Sequence, residues 1–301
     1  MSTPADSVSR LFRLDGQVAI ITGGMGRLGS QYVRTLVAAG ASVAVFDLPG
    51  RGHAEVERLI ENGGPVASYP VDAVDRAAVD GAIQSLGARF GAATVLVNNA
   101  GLGSSPADAA LESGPFETYP EAAWDAMLDS HLKSALVVSQ SFIAAFKAAR
   151  QDKRRDEGRD EGTGGGAEGT GGTLTGSIIN VSSTYGVVSP DQSVYEYRRR
   201  HGAEYYKPVG YSVAKSGVLN FTRWLAEYGA PIGLRVNTLV PGGVREPDHS
   251  PEFLAAYEQR TPLGRMARED DYNGAVLFLA SRASAYMTGA MLVVDGGWTL
   301  R

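Results

Sequence analysis

Tyr211 and Lys215 stand four residues apart in "YSVAK", a spacing that puts both on one face of a helix. A phenol beside an ammonium has its pKa lowered, because the positive charge favours phenolate, and so becomes a usable acid or base. Upstream, "NVSS" closes an apolar run with Ser182 and Ser183. In a parallel α/β sheet the carboxyl ends of strands are where reacting groups collect, so this pair and the Tyr–Lys face belong to one candidate site.

A second feature concerns what such a site would hold. "TGGMGRLG" follows the β-rich run "VAIIT" and opens a helix, with Gly24, Gly26 and Gly29 in GxGxxG spacing. The first glycine is expected to permit the tight turn, the second to let backbone approach a pyrophosphate, and the third to let helix pack closely on strand. Asp47 ends the next β-rich run. A carboxylate there can accept from both adenosine ribose hydroxyls and repel a 2′-phosphate, which favours NAD over NADP. Arg27 and Arg51 argue the other way, since a guanidinium near that ribose could pair with a phosphate. The Arg27 head is expected to point to solvent or toward the pyrophosphate.

The elements that must position these groups alternate along the chain. Short apolar runs at 18–22, 42–47, 66–72, 94–99, 177–183, 234–241 and 291–296 are separated by helix-like segments. Their continuous apolar character suits strands covered on both faces, which predicts a doubly wound parallel sheet in one α/β domain over 14–301, after an N-terminal tail at 1–13. Residues 150–172, rich in charge and glycine, read as a mobile surface insertion at the N-terminal edge of the sheet, away from the chemistry. A formal net charge of −5 and a pI near 5.5 speak against nucleic acid as a partner. The absence of cysteine rules out disulfides and thiolate chemistry, and the four scattered histidines predict no catalytic metal. No signal-like core and no membrane-length apolar run are present, so no membrane partner is expected and a soluble cytoplasmic protein is the expectation.

"TGGMGRLG", "NNAG" (98–101), "NVSS", "YSVAK", "RVNTLVPGG" (235–243) and "VVDGG" (293–297) occur in the order seen in the short-chain dehydrogenase/reductase family, which the chain resembles over about residues 14–299. The resemblance implies a Rossmann-type fold, a nicotinamide cofactor and hydride transfer at a carbinol carbon. It implies Tyr211 as general acid/base, Lys215 as the group that holds the nicotinamide ribose and lowers the tyrosine pKa, and Ser183 as the hydrogen-bond partner of the substrate oxygen. Gly23, Gly24, Gly26, Arg27, Leu28 and Gly29 would form the cofactor turn. Asn99 would help position the cofactor, and Asp72 resembles the acid that contacts the adenine amino group. A homotetramer is implied as well.

Three positions depart from the family pattern. Arg27 occupies the middle glycine of TGxxxGxG. His131 replaces an asparagine that supports a water leading from the lysine to solvent, and is read either as a relay or as a packed histidine. The threonine that often follows "PG" is absent, leaving backbone near Val244 as its substitute. The stretch 184–210 is roughly twice the usual length for the family. It follows a strand end and must lie over the site, bringing Tyr185, Tyr195, Tyr197, Tyr205, Tyr206, Arg198, Arg199, Arg200 and His201 as candidate contacts for a polar and even anionic small-molecule substrate. Residues 245–265 resemble the family's substrate lid. A narrower likeness, to family members acting on sugars or sugar acids, rests on "YGVV.P....YE". The leading expectation is an NAD-dependent alcohol or sugar dehydrogenase; an NADPH-dependent carbonyl reductase and a catalytically silent nucleotide-binding relative are the alternatives.

Overall fold

Alternate residues of the central strands enter opposite cores, and this fixes the architecture. The computed structural model describes residues 4–103, 114–156, 174–202 and 205–300. Its strands are β1 (Val18–Thr22), β2 (Ser42–Asp47), β3 (Val66–Pro70), β4 (Val95–Asn98), β5 (Gly176–Val181), β6 (Leu234–Pro241) and β7 (Met291–Val294). They form one parallel sheet in the order β3-β2-β1-β4-β5-β6-β7. The helices are α1 (Pro4–Phe12), α2 (Arg27–Ala38), α3 (Ala54–Glu61), α4 (Arg76–Phe90), α5 (Glu121–Leu128), α6 (Ser134–Asp156), α7 (Thr184–Val187), α8 (Glu196–Arg200), α9 (Val209–Gly229), α10 (Pro251–Arg260) and α11 (Asn273–Ala280).

Ala19, Ile21, Val43, Val45, Val97 and Ile179 pack on one side against Tyr32, Val33 and Leu36 of α2, Val56 of α3 and Leu279 of α11. Val18, Ile20, Ala44, Phe46, Leu96 and Ile178 pack on the other side against Leu86 of α4, Phe142 and Phe146 of α6 and Leu225 of α9. Burying each large aliphatic or phenyl group contributes about 1.5–3 kcal/mol. Because both faces are covered, the strands can be apolar throughout, as the sequence shows. This is the expected doubly wound Rossmann-type sheet.

The strand order reverses between β1 and β4, so the connections leave their carboxyl ends in opposite directions and open a crevice there. A buried polar chain runs beneath that crevice. Asn98 Nδ2 donates to Ser139 Oγ (3.0 Å) and Asn180 Oδ1 (2.8 Å), and Asn180 Nδ2 donates to Thr222 Oγ1 (2.9 Å). Thr238 Oγ1 then donates to Thr222 Oγ1 (2.8 Å). Three strands and helices α6 and α9 are thereby pinned at one level, which fixes the height of α9 against the sheet.

Two boundaries differ from expectation. The N-terminal tail is helical over Pro4–Phe12, although Val8 and Leu11 remain exposed, so the helix contributes little to the core. Residues 150–156 of the expected loop continue α6, with the Arg150 guanidinium donating to the carbonyls of Leu174 and Ile232; residues 157–172 lie outside the described residues. No helix among the described residues is long and apolar enough to cross a membrane.

Candidate active site

A cavity of about 820 Å³ opens at the carboxyl ends of β1, β2, β4 and β5. Gly23 to Gly29 form its near wall. Gly23 has φ +65° and a Cβ there would meet Ala100 Cα at 3.0 Å, so the tight turn is made at Gly23 rather than at Gly24 as expected. A Cβ on Gly29 would lie 2.1 Å from Gly23 O, which explains why α2 can start so close to the strand only with glycine there. Gly24 packs against Val45, and Gly26 caps α2. Asn99 Nδ2 donates to Thr22 O and Gly23 O, both at 3.2 Å, and stitches the β4 end to the turn. Backbone amides at a helix N-terminus behind a close-packed glycine turn suit the pyrophosphate of a dinucleotide.

Asp47, at the end of β2, lines the same wall; its Oδ2 accepts from Met25 N–H (2.8 Å) and its Oδ1 from Leu48 N–H (2.9 Å). Asp72 lines the cavity after β3 and accepts from Val74 N–H (3.1 Å). Arg27 and Leu28 reach the cavity too, and the Arg27 head is engaged by carboxylates. It pairs with Glu246 (2.7 Å) and Glu269 (3.3 Å), because the chain leaving β6 brings two carboxylates over the start of α2. Arg51 lines the cavity beside Asp47. Val244 lines its far side, where a short parallel bridge to Ala267 holds the backbone.

At the other end Ser183, Tyr211, Lys215 and His131 converge. The two serines have separate tasks. Ser182 Oγ donates to Lys215 O (2.7 Å) and ties β5 to α9, while Ser183 caps α7 and faces the cavity. Lys215 is buried, donates from Nζ to Val181 O (2.9 Å), and has its pKa pushed down to about 7 by burial. Its Nζ lies 5.9 Å from the Tyr211 ring centroid.

His131 occupies a π-helical turn, Asp129–Lys133, that interrupts the helix between α5 and α6. Its ring meets Tyr211 edge-on at 5.4 Å, and a Cβ on Gly101 would lie 2.1 Å from it. Burial first, and the Lys215 cation second, hold its pKa well below the ordinary histidine value, so the imidazole is neutral at pH 7. Neither ring nitrogen meets hydrogen-bond geometry with a described group.

The 184–210 stretch does cover the site, with two of the expected tyrosines and one cation that was not expected. Tyr185 and Tyr195 line the cavity; Tyr205 lies tilted against Tyr195 behind it (4.6 Å). Arg198 and Arg199 lie instead over the rings of Tyr205 and Tyr206, and neither Arg200 nor His201 lines the cavity. The cation that does is Lys207, four residues before Tyr211 and eight before Lys215, a spacing that was present in the sequence and overlooked. Glu246, His249, Phe253 and Tyr257, from the 245–265 stretch, complete the roof. Tyr257 stacks on Trp298 at 4.1 Å, and Asp191 pairs with Arg260 at 2.5 Å, so the two covering segments are locked together.

Comparison with known proteins agrees with this architecture. The family model described as short chain dehydrogenase matches residues 17–156, and that described as enoyl-(acyl carrier protein) reductase matches 170–299. The chain is 31% identical to a D-arabinitol 2-dehydrogenase (ribulose-forming) of Scheffersomyces stipitis, over 95% of each chain. It is also 31% identical to a D-threitol dehydrogenase of Mycolicibacterium smegmatis, over 98% of this chain and 97% of the relative. A gluconate 5-dehydrogenase from Burkholderia cenocepacia, solved with NADP and tartrate, superposes with a TM-score of 0.77 at 26% identity, over 98% and 99% of the two chains. The chain is a member of the short-chain dehydrogenase/reductase family, a nicotinamide-dependent oxidoreductase acting on CH–OH groups.

Proposed function

We propose that the protein is an NAD-dependent dehydrogenase that oxidises a secondary carbinol of a polyol or sugar-type substrate. The observation that carries this reading is the convergence of Ser183, Tyr211 and Lys215 on one end of a cavity whose other end is edged by the Asp47 carboxylate. The two polyol dehydrogenases among its relatives support the substrate class.

A bound nicotinamide would supply the acceptor for the hydride leaving the carbinol carbon. Tyr211 Oη takes the carbinol proton, and Ser183 Oγ holds the carbinol oxygen for that transfer. Lys215, fixed by its bond to Val181 O, would hold the nicotinamide ribose and in its protonated form favours the Tyr211 phenolate. His131, neutral and against the Tyr211 ring, supports proton passage from this end of the cavity. Asp72 would serve the adenine side and Asn99 the nicotinamide side, and backbone at Val244 would take the carboxamide; all three line the cavity.

NAD is favoured over NADP in this reading because the Asp47 carboxylate, lining the cavity at the end of β2, would accept from ribose hydroxyls and repel a 2′-phosphate, and because Arg27 is engaged by two carboxylates. Cofactor choice and substrate class are measured together. The purified protein, incubated with arabinitol, threitol and other polyols plus NAD or NADP, should form reduced cofactor with NAD and at least one polyol. Reduction with NADP alone would reverse the cofactor assignment, and no reduction with any polyol would remove the substrate class. Assembly into a homo-oligomer follows the family expectation, with the exposed, stacked Trp224 and Tyr228 on α9 as its apolar contribution.

A further inference from the structure

Lys207 is the only lysine besides Lys215 that lines the cavity among the described residues. It sits just ahead of α9, which Pro208 caps. The two lysines bracket the Tyr211 ring, with Lys207 Nζ 5.4 Å and Lys215 Nζ 5.9 Å from its centroid. A second ring, that of Tyr185, stands 5.8 Å from Lys207 Nζ. Its backbone is fixed by Lys207 N–H donating to Gln192 Oε1 (3.1 Å), inside the covering segment that Asp191 and Arg260 lock to the lid.

We propose that Lys207 is a specificity-determining residue that holds a hydroxyl oxygen on the carbon next to the reacting carbinol, and thereby selects vicinal diols over isolated secondary alcohols. The inference rests on the assignment of Tyr211 and Ser183 to the carbinol oxygen. With Lys207 Nζ 5.4 Å from the Tyr211 ring centroid in the same cavity, a carbon next to a carbinol held there would come within reach of the ammonium. An ammonium with three donors takes a hydroxyl oxygen at that place, and its partial desolvation strengthens the bond. Burial pushes its pKa down to about 7, while Glu246 works in the opposite direction. The oxygen is that of a neutral hydroxyl rather than a carboxylate, because Glu246 lines the same end of the cavity and would repel a second negative charge.

The test compares kcat/KM for 2,3-butanediol and 2-butanol, a pair differing only in the neighbouring hydroxyl, in the wild type, Lys207→Met and Lys207→Gln, with arabinitol and threitol as reference substrates. The wild type should prefer the diol, and Lys207→Met should reduce that preference by roughly ten- to hundredfold, the range expected for a lost hydrogen bond to a charged group. Lys207→Gln, which keeps a neutral donor, should fall between them and decides the matter if the methionine variant does not fold. A preference that survives in the folded variants overturns the inference, as does an equal loss on both alcohols, which would mark Lys207 as acting on Tyr211 instead. Lactate preferred over the diol, with that preference lost in Lys207→Met, would replace hydroxyl by carboxylate recognition. If the wild type oxidises arabinitol or threitol but shows no diol preference, the Lys207 assignment fails while the polyol reading stands; oxidation of none of these alcohols removes both.

Discussion

The His131 ring stands edge-on against Tyr211 with centroids 5.4 Å apart, and the backbone of Gly101 closes the other side of the imidazole so tightly that a methyl group has no room. Gly101→Ala should therefore displace His131 without touching Tyr211. If His131 supports proton passage, Gly101→Ala and His131→Ala should both lower kcat, by less than loss of Tyr211 does, and His131→Asn should restore much of it. Equal kcat in wild type and His131→Ala, in folded protein, would make the histidine a packing residue.

Asp47 couples two tasks, since the carboxylate that faces the adenosine end also accepts from Met25 N–H in the glycine turn. Asp47→Ala should weaken NAD binding by about 1.5–3 kcal/mol, the range for a hydrogen bond to a charged group, and should narrow the ratio of kcat/KM for NAD over NADP. An unchanged ratio would take cofactor choice away from Asp47 and return attention to Arg51.

Lys215 makes stability depend on pH. Burial lowers its folded-state pKa to about 7 from an ordinary 10.5, so across that window the unfolded chain binds more protons than the folded one. The stability of the cofactor-free protein should then rise with pH between about 7 and 10. Lys207, shifted the same way, contributes in parallel. Lys215→Met should flatten part of the rise, which urea unfolding at several pH values would measure; an identical slope in the variant would contradict a buried, destabilised ammonium.

The buried chain Asn98–Asn180–Thr222 should be needed to hold α9 at its working height. Asn180→Ala leaves partners on both sides unsatisfied and should cost several kcal/mol, at about 1–3 kcal/mol for each orphaned group. Thermal unfolding of the variant checks this, and an unaltered Tm would show that the network is not structural.

Strand positions were legible because a parallel sheet buried on both faces leaves continuous apolar runs; three runs, 18–22, 42–47 and 234–241, coincide with β1, β2 and β6 to the residue. The Ser183, Tyr211 and Lys215 constellation was legible because its members lie in short local motifs. The Arg27 pairing was not, since it depends on Glu246 and Glu269, more than two hundred residues away along the chain. The same holds for the covering segments: a count of arginines and tyrosines does not say which stack on each other outside the cavity, as Arg198 does on Tyr205, and which single cation turns inward. The helix at Pro4–Phe12 was not legible, because a short helix with exposed apolar residues leaves no core signature.

The central claim, that Tyr211 is the acid/base group of a dehydrogenase, is tested most directly by Tyr211→Phe, which keeps the ring against His131 and removes only the hydroxyl. With the polyol that the wild type oxidises best, kcat should fall by about 10²–10⁴-fold while NAD binding and the fold are retained. Turnover near the wild-type value in that variant would contradict the mechanism.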